Sequence, residues 1–369
     1  MNFIKNFIKS KPILFFIIIF FSFFIVVNKL AKNFLQQTKM EKRNIPEYIK
    51  QVYGEGNVQD YQKVFLEQTA AFEYKQFVEF IEKERLGEFT SVSTMGNRCN
   101  YNNLKKCKTP EGGKKEIWIF GGSTTFGYGV KNNETISAYL ENFFDKEYNV
   151  INFGSGFYYS TQERILFNNL LTKLPAPFAV VFIDGFNDFG KNYAFDESAF
   201  TKNIKYKMSK SSKDDLIDYF KERFYRLNVV RLIKEILQSQ KKTIRDTNSN
   251  FPKRDALKMV ETLINNQKIT KAISEKFEIK LINILQPVPI YNDSYESSNL
   301  PEDFSRDVGT DSTLKKVKLG YELYLKKKPS LVMNLSDLKI SKPMYIDGVH
   351  YSPEFNLAIA KIIKQKLNQ

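Results

Sequence analysis

The segment "EIWIFGGSTTFGYG", residues 116–129, places a continuous apolar run directly before two glycines and a serine. Such a run is typical of a strand that is buried on both faces, as in a parallel sheet. The two glycines permit a sharp turn, so we expect the Ser123 hydroxyl and several backbone N–H groups to face one small volume. The segment therefore predicts a strand, a tight turn and a helix within an α/β domain.

Apolar runs and amphipathic segments alternate along much of the remaining chain. The pattern predicts strands at 116–120, 149–153, 178–185, 279–287 and 331–335, and helices at 135–144, 161–174 and 255–277. A further helix is predicted at 64–85 and a short strand near 87–93. Strands that alternate with helices predict a parallel sheet covered on both faces, and such sheets hold their sites at the carboxyl ends of the strands.

The glycine-rich turn around Ser123 admits several interpretations. A phosphate-binding loop requires a lysine, and none occurs between Lys115 and Lys131. The glycine spacing also differs from the dinucleotide-binding pattern. Two interpretations remain open at this point, a nucleophilic serine or a turn without chemistry.

Two other predicted strands end in loops that could stabilise a negative charge. In "NFGSGFYYSTQE", residues 152–163, Gly154 and Gly156 allow close approach of the backbone just before a helix. In "DGFNDFG", residues 184–190, the Asn187 amide is a possible donor to the same oxyanion. Both loops could equally be ordinary turns.

The segment "YIDGVHYSPEF", residues 345–355, contains the single histidine of the chain, His350. A serine nucleophile needs a base, usually a histidine held by a carboxylate, so any such chemistry must use His350. Asp347 precedes His350 by three residues and is the candidate carboxylate. Ser352 as N-cap and Pro353 at the first helical position predict the start of a C-terminal helix.

Together these blocks resemble the SGNH (GDSL-like) hydrolases, in the family's order over residues 117–369. The matching segments are "FGGSTTFG", "NFGSGFYYS", "GFND" and "DGVH". The resemblance implies a flavodoxin-like three-layer sandwich with a parallel sheet of about five strands. It also implies Ser123 as nucleophile, His350 as base and Asp347 as its orienting partner. The implied oxyanion donors are the Ser123 N–H, a second-block N–H assigned to Gly156, and the Asn187 side chain.

Two positions depart from the family pattern. Gly122 stands where the family usually has an aspartate before the nucleophile, a variant associated with membrane-anchored members. Ungapped spacing from Asn152 places Phe157, rather than Gly156, at the usual donor position. Because both residues carry a backbone N–H, the expected chemistry is retained with either donor.

The N-terminus contains an uncharged, mostly apolar run from Pro12 to Val27, flanked by Lys11 and Lys29. We interpret it as an uncleaved transmembrane anchor over residues 1–31, since no convincing signal-peptide cleavage site follows. Residues 32–95 are predicted to be a stalk and helical extension, and residues 96–369 the hydrolase domain. Charged, tyrosine-rich segments at about 190–252 predict a helical insertion in that domain.

Cys99 and Cys107 are the two cysteines of the chain and lie close together in a polar loop. A disulfide between them would fit an exported domain, and two free thiols are the alternative. A zinc site is disfavoured because His350 would be its one available nitrogen ligand. We expect neither a metal nor a cofactor.

The chain carries a formal charge of +15, but its lysines are scattered and no nucleic-acid-binding motif appears, so we expect no nucleic-acid partner. The expected function is a membrane-anchored serine esterase or O-acyltransferase in the periplasm or outside the cell. Its expected substrate is an acyl ester, with O-acetyl groups of a surface polysaccharide as one candidate. The alternative is an inactive module of the same fold that binds polysaccharide or scaffolds an envelope assembly.

Overall fold

A computed structural model describes residues 12–41, 47–68, 71–101, 107–145, 147–190, 227–230, 232–233, 253–289 and 311–369. The chain divides into two compact units, residues 1–44 with 201–245 and residues 45–200 with 246–369. The first unit contains helix α1, Pro12–Glu41. A search of the described residues finds no helix with both the length and the apolar character needed to span a bilayer.

The second unit contains the remaining helices and strands described below. Before the sheet lie α2 (Glu47–Tyr53), α3 (Val58–Glu67), β1 (Phe72–Lys75) and β2 (Glu79–Glu82). The first half of the sheet region comprises β3 (Glu116–Gly121), α4 (Ser123–Phe126), α5 (Ile136–Phe143), β4 (Asn149–Asn152), α6 (Ser160–Leu171), β5 (Ala179–Asp184) and α7 (Phe186–Gly190). The second half comprises α8 (Lys253–Lys276), β6 (Lys280–Leu285), α9 (Asp311–Lys326), β7 (Val332–Asn334) and α10 (Pro353–Leu367).

Five strands form one parallel sheet in the order β4-β3-β5-β6-β7. This confirms the predicted α/β class and the parallel sheet of about five strands. Strand β3 lies between β4 and β5, so the turn at Ser123 lies between the ends of those two strands. Because parallel strands end at the same edge, the three predicted loops meet there.

Alternate residues of β3 pack into two different hydrophobic cores, as the pleat of a strand requires. Ile117 and Ile119 face a core that includes Ile359 of α10. Trp118 and Phe120 face the opposite core, which includes Phe167 of α6. All four β3 side chains are fully buried, so both faces of the sheet are covered by helices.

The structure differs from the sequence predictions in three segments. Only the first residues of the helix predicted at 64–85 are helical, because α3 ends at Glu67. Residues 72–82 instead form the antiparallel hairpin β1–β2. Phe77 and Glu79 have positive φ angles of 73° and 72°, which a continuous helix does not allow. The predicted strand near 87–93 is reduced to single bridges of Val92, and helix α9 was not predicted.

The predicted boundary at residue 96 does not coincide with a break in packing. Helix α2 ends at Tyr53, whose hydroxyl donates a 2.7 Å hydrogen bond to the Gly129 carbonyl, beyond the predicted boundary. Gln68 accepts a hydrogen bond from the Gly129 N–H at 2.5 Å. Residues 47–95 are therefore part of the domain rather than a stalk, because their polar side chains satisfy its backbone.

The polar loop that follows this segment contains a disulfide between Cys99 and Cys107, whose Cα atoms are 4.9 Å apart. The predicted insertion at 190–252 lies outside the described residues, except for 190, 227–230 and 232–233. Residues 1–11 of the predicted anchor also lie outside them.

Candidate active site

Ser123 is the first residue of the short helix α4, and the single residue Gly122 separates it from strand β3. A Cβ atom at the preceding position, Gly122, would lie 2.5 Å from Asn187 Nδ2, so any side chain there would require the Asn187 amide to shift. Gly122 stands where the SGNH pattern has an aspartate, and it leaves this space free for Asn187. The amide of Asn187 occupies the space beside the turn.

His350 joins Ser123 and Asp347 in one hydrogen-bonded line. Its Nε2 lies 2.8 Å from Ser123 Oγ, and its Nδ1 lies 2.6 Å from Asp347 Oδ2. The other carboxylate oxygen of Asp347 accepts the N–H groups of Val349 at 2.9 Å and His350 at 2.7 Å. The His350 and Asp347 side chains are only 15% and 19% exposed, so these hydrogen bonds are shielded from water.

The electrostatics of this line fix the direction of the hydrogen bonds. Burial raises the pKa of Asp347, but the neighbouring charge of His350 and the hydrogen bonds to the carboxylate outweigh it and lower the pKa. An ionised Asp347 accepts from Nδ1–H, which leaves the lone pair of Nε2 directed at the serine hydroxyl. His350 is thus in the tautomer that can accept the proton of Ser123.

Two donors lie beside Ser123 where a carbonyl oxygen would become negative. The Ser123 N–H belongs to the first turn of α4, where no residue four positions earlier can accept it within the helix. Asn187 Nδ2 donates one hydrogen to the Tyr158 carbonyl at 2.7 Å, and the amide carries a second hydrogen. The hydrogen bond to Tyr158 holds the Asn187 amide against the turn.

The structure does not support Gly156 as the second-block donor. Its N–H already donates to Glu82 Oε1 at 2.9 Å, and Glu82 comes from the β1–β2 hairpin. The following residue, Phe157, has a φ of 70°, a conformation that usually favours glycine. Phe157 is the alternative position indicated by ungapped spacing.

A buried arginine that the sequence analysis missed holds the turn that follows the nucleophile helix. Arg98 Nη1 donates to the carbonyls of Phe126 at 3.1 Å and Gly127 at 2.7 Å, and Nη2 donates to Val130 at 2.7 Å. Burial lowers the pKa of Arg98 to about 9. Nothing local in the sequence marks this arginine, because its partners lie about 30 residues further along the chain.

An aromatic side chain next to His350 was also missed. The ring of Tyr128 lies 4.6 Å from the imidazole, between centroids, and contacts Phe65 of α3 edge to face. Tyr128 was within the glycine-rich segment that contains Ser123, so its position near the site could have been inferred. Its ring covers one side of the base.

Three buried carboxylates lie behind the Asn187 loop, on β5, α6 and α7. Burial raises the pKa of Glu163 and Asp184 well above their usual range, and the charge of a neighbouring carboxylate raises each further. Burial raises the pKa of Asp188 to about 6, although hydrogen bonds from Ser160 oppose this shift. Asp188 Oδ1 accepts the Ser160 hydroxyl at 2.6 Å, and Asn266 Nδ2 donates to the same hydroxyl at 2.9 Å.

Comparisons with known proteins were made for the chain. No protein-family model and no curated protein matches it. Similar solved structures include a carbohydrate acetylesterase family member from Sinorhizobium meliloti, with TM-score 0.35 and 14% identity over 69% of this chain and 100% of that one. A member of the lipolytic G-D-S-L family from Veillonella parvula has TM-score 0.35 and 12% identity over 67% and 96% of the two chains. A psychrotrophic esterase from Pseudoalteromonas has TM-score 0.34 and 14% identity over 69% and 100%.

The contact between Gly122 and Asn187 leads to a prediction for catalysis. Gly122→Ala should lower kcat for p-nitrophenyl acetate by about 10-fold to 100-fold, because the added methyl group displaces the Asn187 amide. Gly56→Ala is the matched control, since a methyl group there meets no atom within 4 Å. An unchanged kcat in Gly122→Ala would contradict the prediction that the methyl group displaces the Asn187 amide.

The buried carboxylates lead to a prediction for stability. Their pKa values are raised in the folded state, so the folded chain holds protons more tightly than the unfolded chain does. The free energy of unfolding should therefore fall as pH rises from about 4 through about 6 and above. Asp184→Asn should reduce this slope in urea unfolding series at several pH values. Exposed Asp337→Asn is the control and should keep it, and equal slopes in the two variants would contradict the assignment.

Proposed function

We propose that the protein is an SGNH-type serine esterase or O-acyltransferase in which Ser123, His350 and Asp347 form the catalytic triad. The observation that carries the proposal is the 2.8 Å contact between Ser123 Oγ and His350 Nε2, with Asp347 on the opposite ring nitrogen. A polysaccharide-binding module without activity would not need these three side chains aligned.

In the first step, Ser123 Oγ attacks the carbonyl carbon of an ester while its proton moves to His350 Nε2. The carbonyl oxygen becomes negatively charged and is stabilised by the Ser123 N–H and the Asn187 amide. The tetrahedral intermediate then collapses. His350 returns the proton to the leaving alcohol, and the acyl group stays on Ser123.

In the second step, a hydroxyl group attacks the acyl-serine, and His350 accepts its proton. If the hydroxyl belongs to water the product is a carboxylic acid, and if it belongs to a sugar the product is a new ester. His350 then returns the proton to Ser123. The residues of the triad play the same part in both outcomes, so the acceptor is chosen by access to the site.

The substrate that we propose is an O-acyl group, with O-acetyl on a surface polysaccharide as the leading candidate. Two features support action outside the cytoplasm. The Cys99–Cys107 disulfide is stable in oxidising compartments, and the apolar run Pro12–Val27 suits a membrane anchor. Helix α1 also exposes large apolar side chains, namely Ile13, Phe20, Phe21, Phe23, Ile25, Val26, Leu30 and Phe34.

Covalent labelling tests the triad directly. A fluorophosphonate probe, located by mass spectrometry, should label Ser123 in the full chain, with fluoride displaced by the serine oxygen. Labelling should be lost in His350→Ala, because the imidazole that accepts the serine proton is then missing. Exposed Ser330→Ala is the control and should be labelled normally.

The outcomes of this experiment separate the two candidate functions. Labelling of Ser123 that requires His350 supports the esterase or acyltransferase. A folded chain that is never labelled would rule out covalent catalysis and favour the polysaccharide-binding alternative.

The anchor and its orientation can be tested in membranes that contain the full chain. The protein should stay in the pellet after an alkaline carbonate wash, and Phe20→Arg combined with Ile25→Arg should release it, since arginine is costly in a bilayer. Phe77→Arg, exposed on the hairpin, is the control and should stay bound. Protease outside right-side-out vesicles should digest the catalytic domain, and protection of that domain would place it in the cytoplasm.

A further inference from the structure

The β1–β2 hairpin lies against the second-block loop, residues 153–159, which follows β4. Gln162 Nε2, in the helix after this loop, donates to the Val78 carbonyl at 3.2 Å, and the Tyr158 hydroxyl donates to the Phe80 carbonyl. The Phe72 ring contacts Phe157 with centroids 5.9 Å apart. The loop is therefore held by a segment that lies outside the five-stranded sheet.

Glu82, the last residue of β2, makes the central polar contact of this arrangement. Its Oε1 accepts the Gly156 N–H at 2.9 Å and lies 3.5 Å from Ser155 Oγ. Its Oε2 accepts from Arg85 Nη2 at 3.0 Å. The side chain is only 3% exposed, so both oxygens of the carboxylate are satisfied by protein groups in a site closed to water.

The ion pair of Glu82 and Arg85 also lies near α4, the helix that begins with the nucleophile Ser123. The guanidinium of Arg85 lies 5.3 Å from the centre of the Phe126 ring, and that of Arg98 lies 4.7 Å from it. Phe126 is the last residue of α4, which begins at Ser123. Glu82 and Arg85 thus connect the loop of the second-block donor to the helix of the nucleophile.

We infer that Glu82 is a positioning residue for the reaction: its carboxylate fixes the second-block loop relative to Ser123. This inference rests on the proposed esterase or acyltransferase function. Gly156 immediately precedes Phe157, whose positive φ is unfavourable for a side chain of its size. A hydrogen bond to the neighbouring N–H opposes relaxation of this conformation.

The loop must be held in place during catalysis because transition-state stabilisation depends steeply on geometry. A displacement of about 1 Å at a site of this kind can lower the rate by about 100-fold. Substrate binding in the ground state depends far less on the same donors. Loss of the Glu82 contact should therefore appear in kcat and leave KM nearly unchanged.

The experiment compares variants of the full chain with p-nitrophenyl acetate as the substrate. Glu82→Leu has a similar volume but no acceptor, and its kcat should fall by about 10-fold to 100-fold at unchanged KM. Glu82→Gln keeps an oxygen that can accept the Gly156 N–H, and its kcat should stay within about 3-fold of the wild type. Exposed Glu84→Leu on the same segment is the control and should match the wild type.

The comparison with glutamine distinguishes positioning from a general effect on folding. Glu82→Gln and Glu82→Leu both lose the ion pair with Arg85, so an effect on folding would lower the kcat of both variants. If Glu82→Leu does not fold, as judged by circular dichroism, Glu82→Asp replaces it. The aspartate side chain keeps the negative charge but is too short to reach the Gly156 N–H. Glu82→Asp should therefore show the same loss of kcat as Glu82→Leu.

Two results would overturn the inference. One is a wild-type kcat in folded Glu82→Leu or, where that variant does not fold, in Glu82→Asp. The other is an equal loss of kcat in Glu82→Leu and Glu82→Gln. Failure of the proposed function looks different, because the wild-type chain itself would then show no turnover that depends on Ser123.

Discussion

The site depends on one hydrogen bond between residues that are 227 positions apart, Ser123 and His350. Ser123 follows strand β3, which lies between β4 and β5, and His350 lies two residues before the N-cap of α10. Ser352 Oγ accepts the Phe355 N–H at 3.1 Å and donates to the Pro343 carbonyl at 2.6 Å, which holds the histidine loop and the helix start together. Since α10 packs in the core of β3, the docking of the last helix sets the distance between base and nucleophile.

Around Ser123, small residues leave space for adjacent loops, and hydrogen bonds hold those loops together. Gly122 leaves room for the Asn187 amide, and the Asn187 amide is in turn held by the Tyr158 carbonyl. Gly154 lets the second-block loop pass close to the backbone of Phe126, where a Cβ atom would collide with it. The small residues of these turns thus permit close approach of the first and second loops, and the polar contacts then fix their distance.

The sequence predicts the parallel sheet well because its strands follow local patterns of apolar residues. The alternation of Ile117 to Phe120 between two cores follows from strand geometry, and the order of the blocks places Ser123, Asn187 and His350 at one edge. The hairpin was not predicted because the apolar residues of 64–85 recur at roughly helical spacing, although the helix ends at Glu67 and β1 begins at Phe72. Glu82 and Arg98 could not be predicted, since their roles depend on partners brought near by tertiary packing.

The segment before the sheet therefore belongs to the same compact unit as the sheet. Glu82 satisfies the Gly156 N–H, while Gln68 donates to the Val130 carbonyl at 3.0 Å and accepts from Gly129. Each buried backbone group left without a partner costs about 1–3 kcal/mol, a large share of the stability of a typical domain. A chain that began at residue 96 would lose both of these partners, Glu82 and Gln68. The loops that they hold contain or adjoin the nucleophile and its oxyanion donors. The extension thus couples the stability of the domain to the geometry of its site.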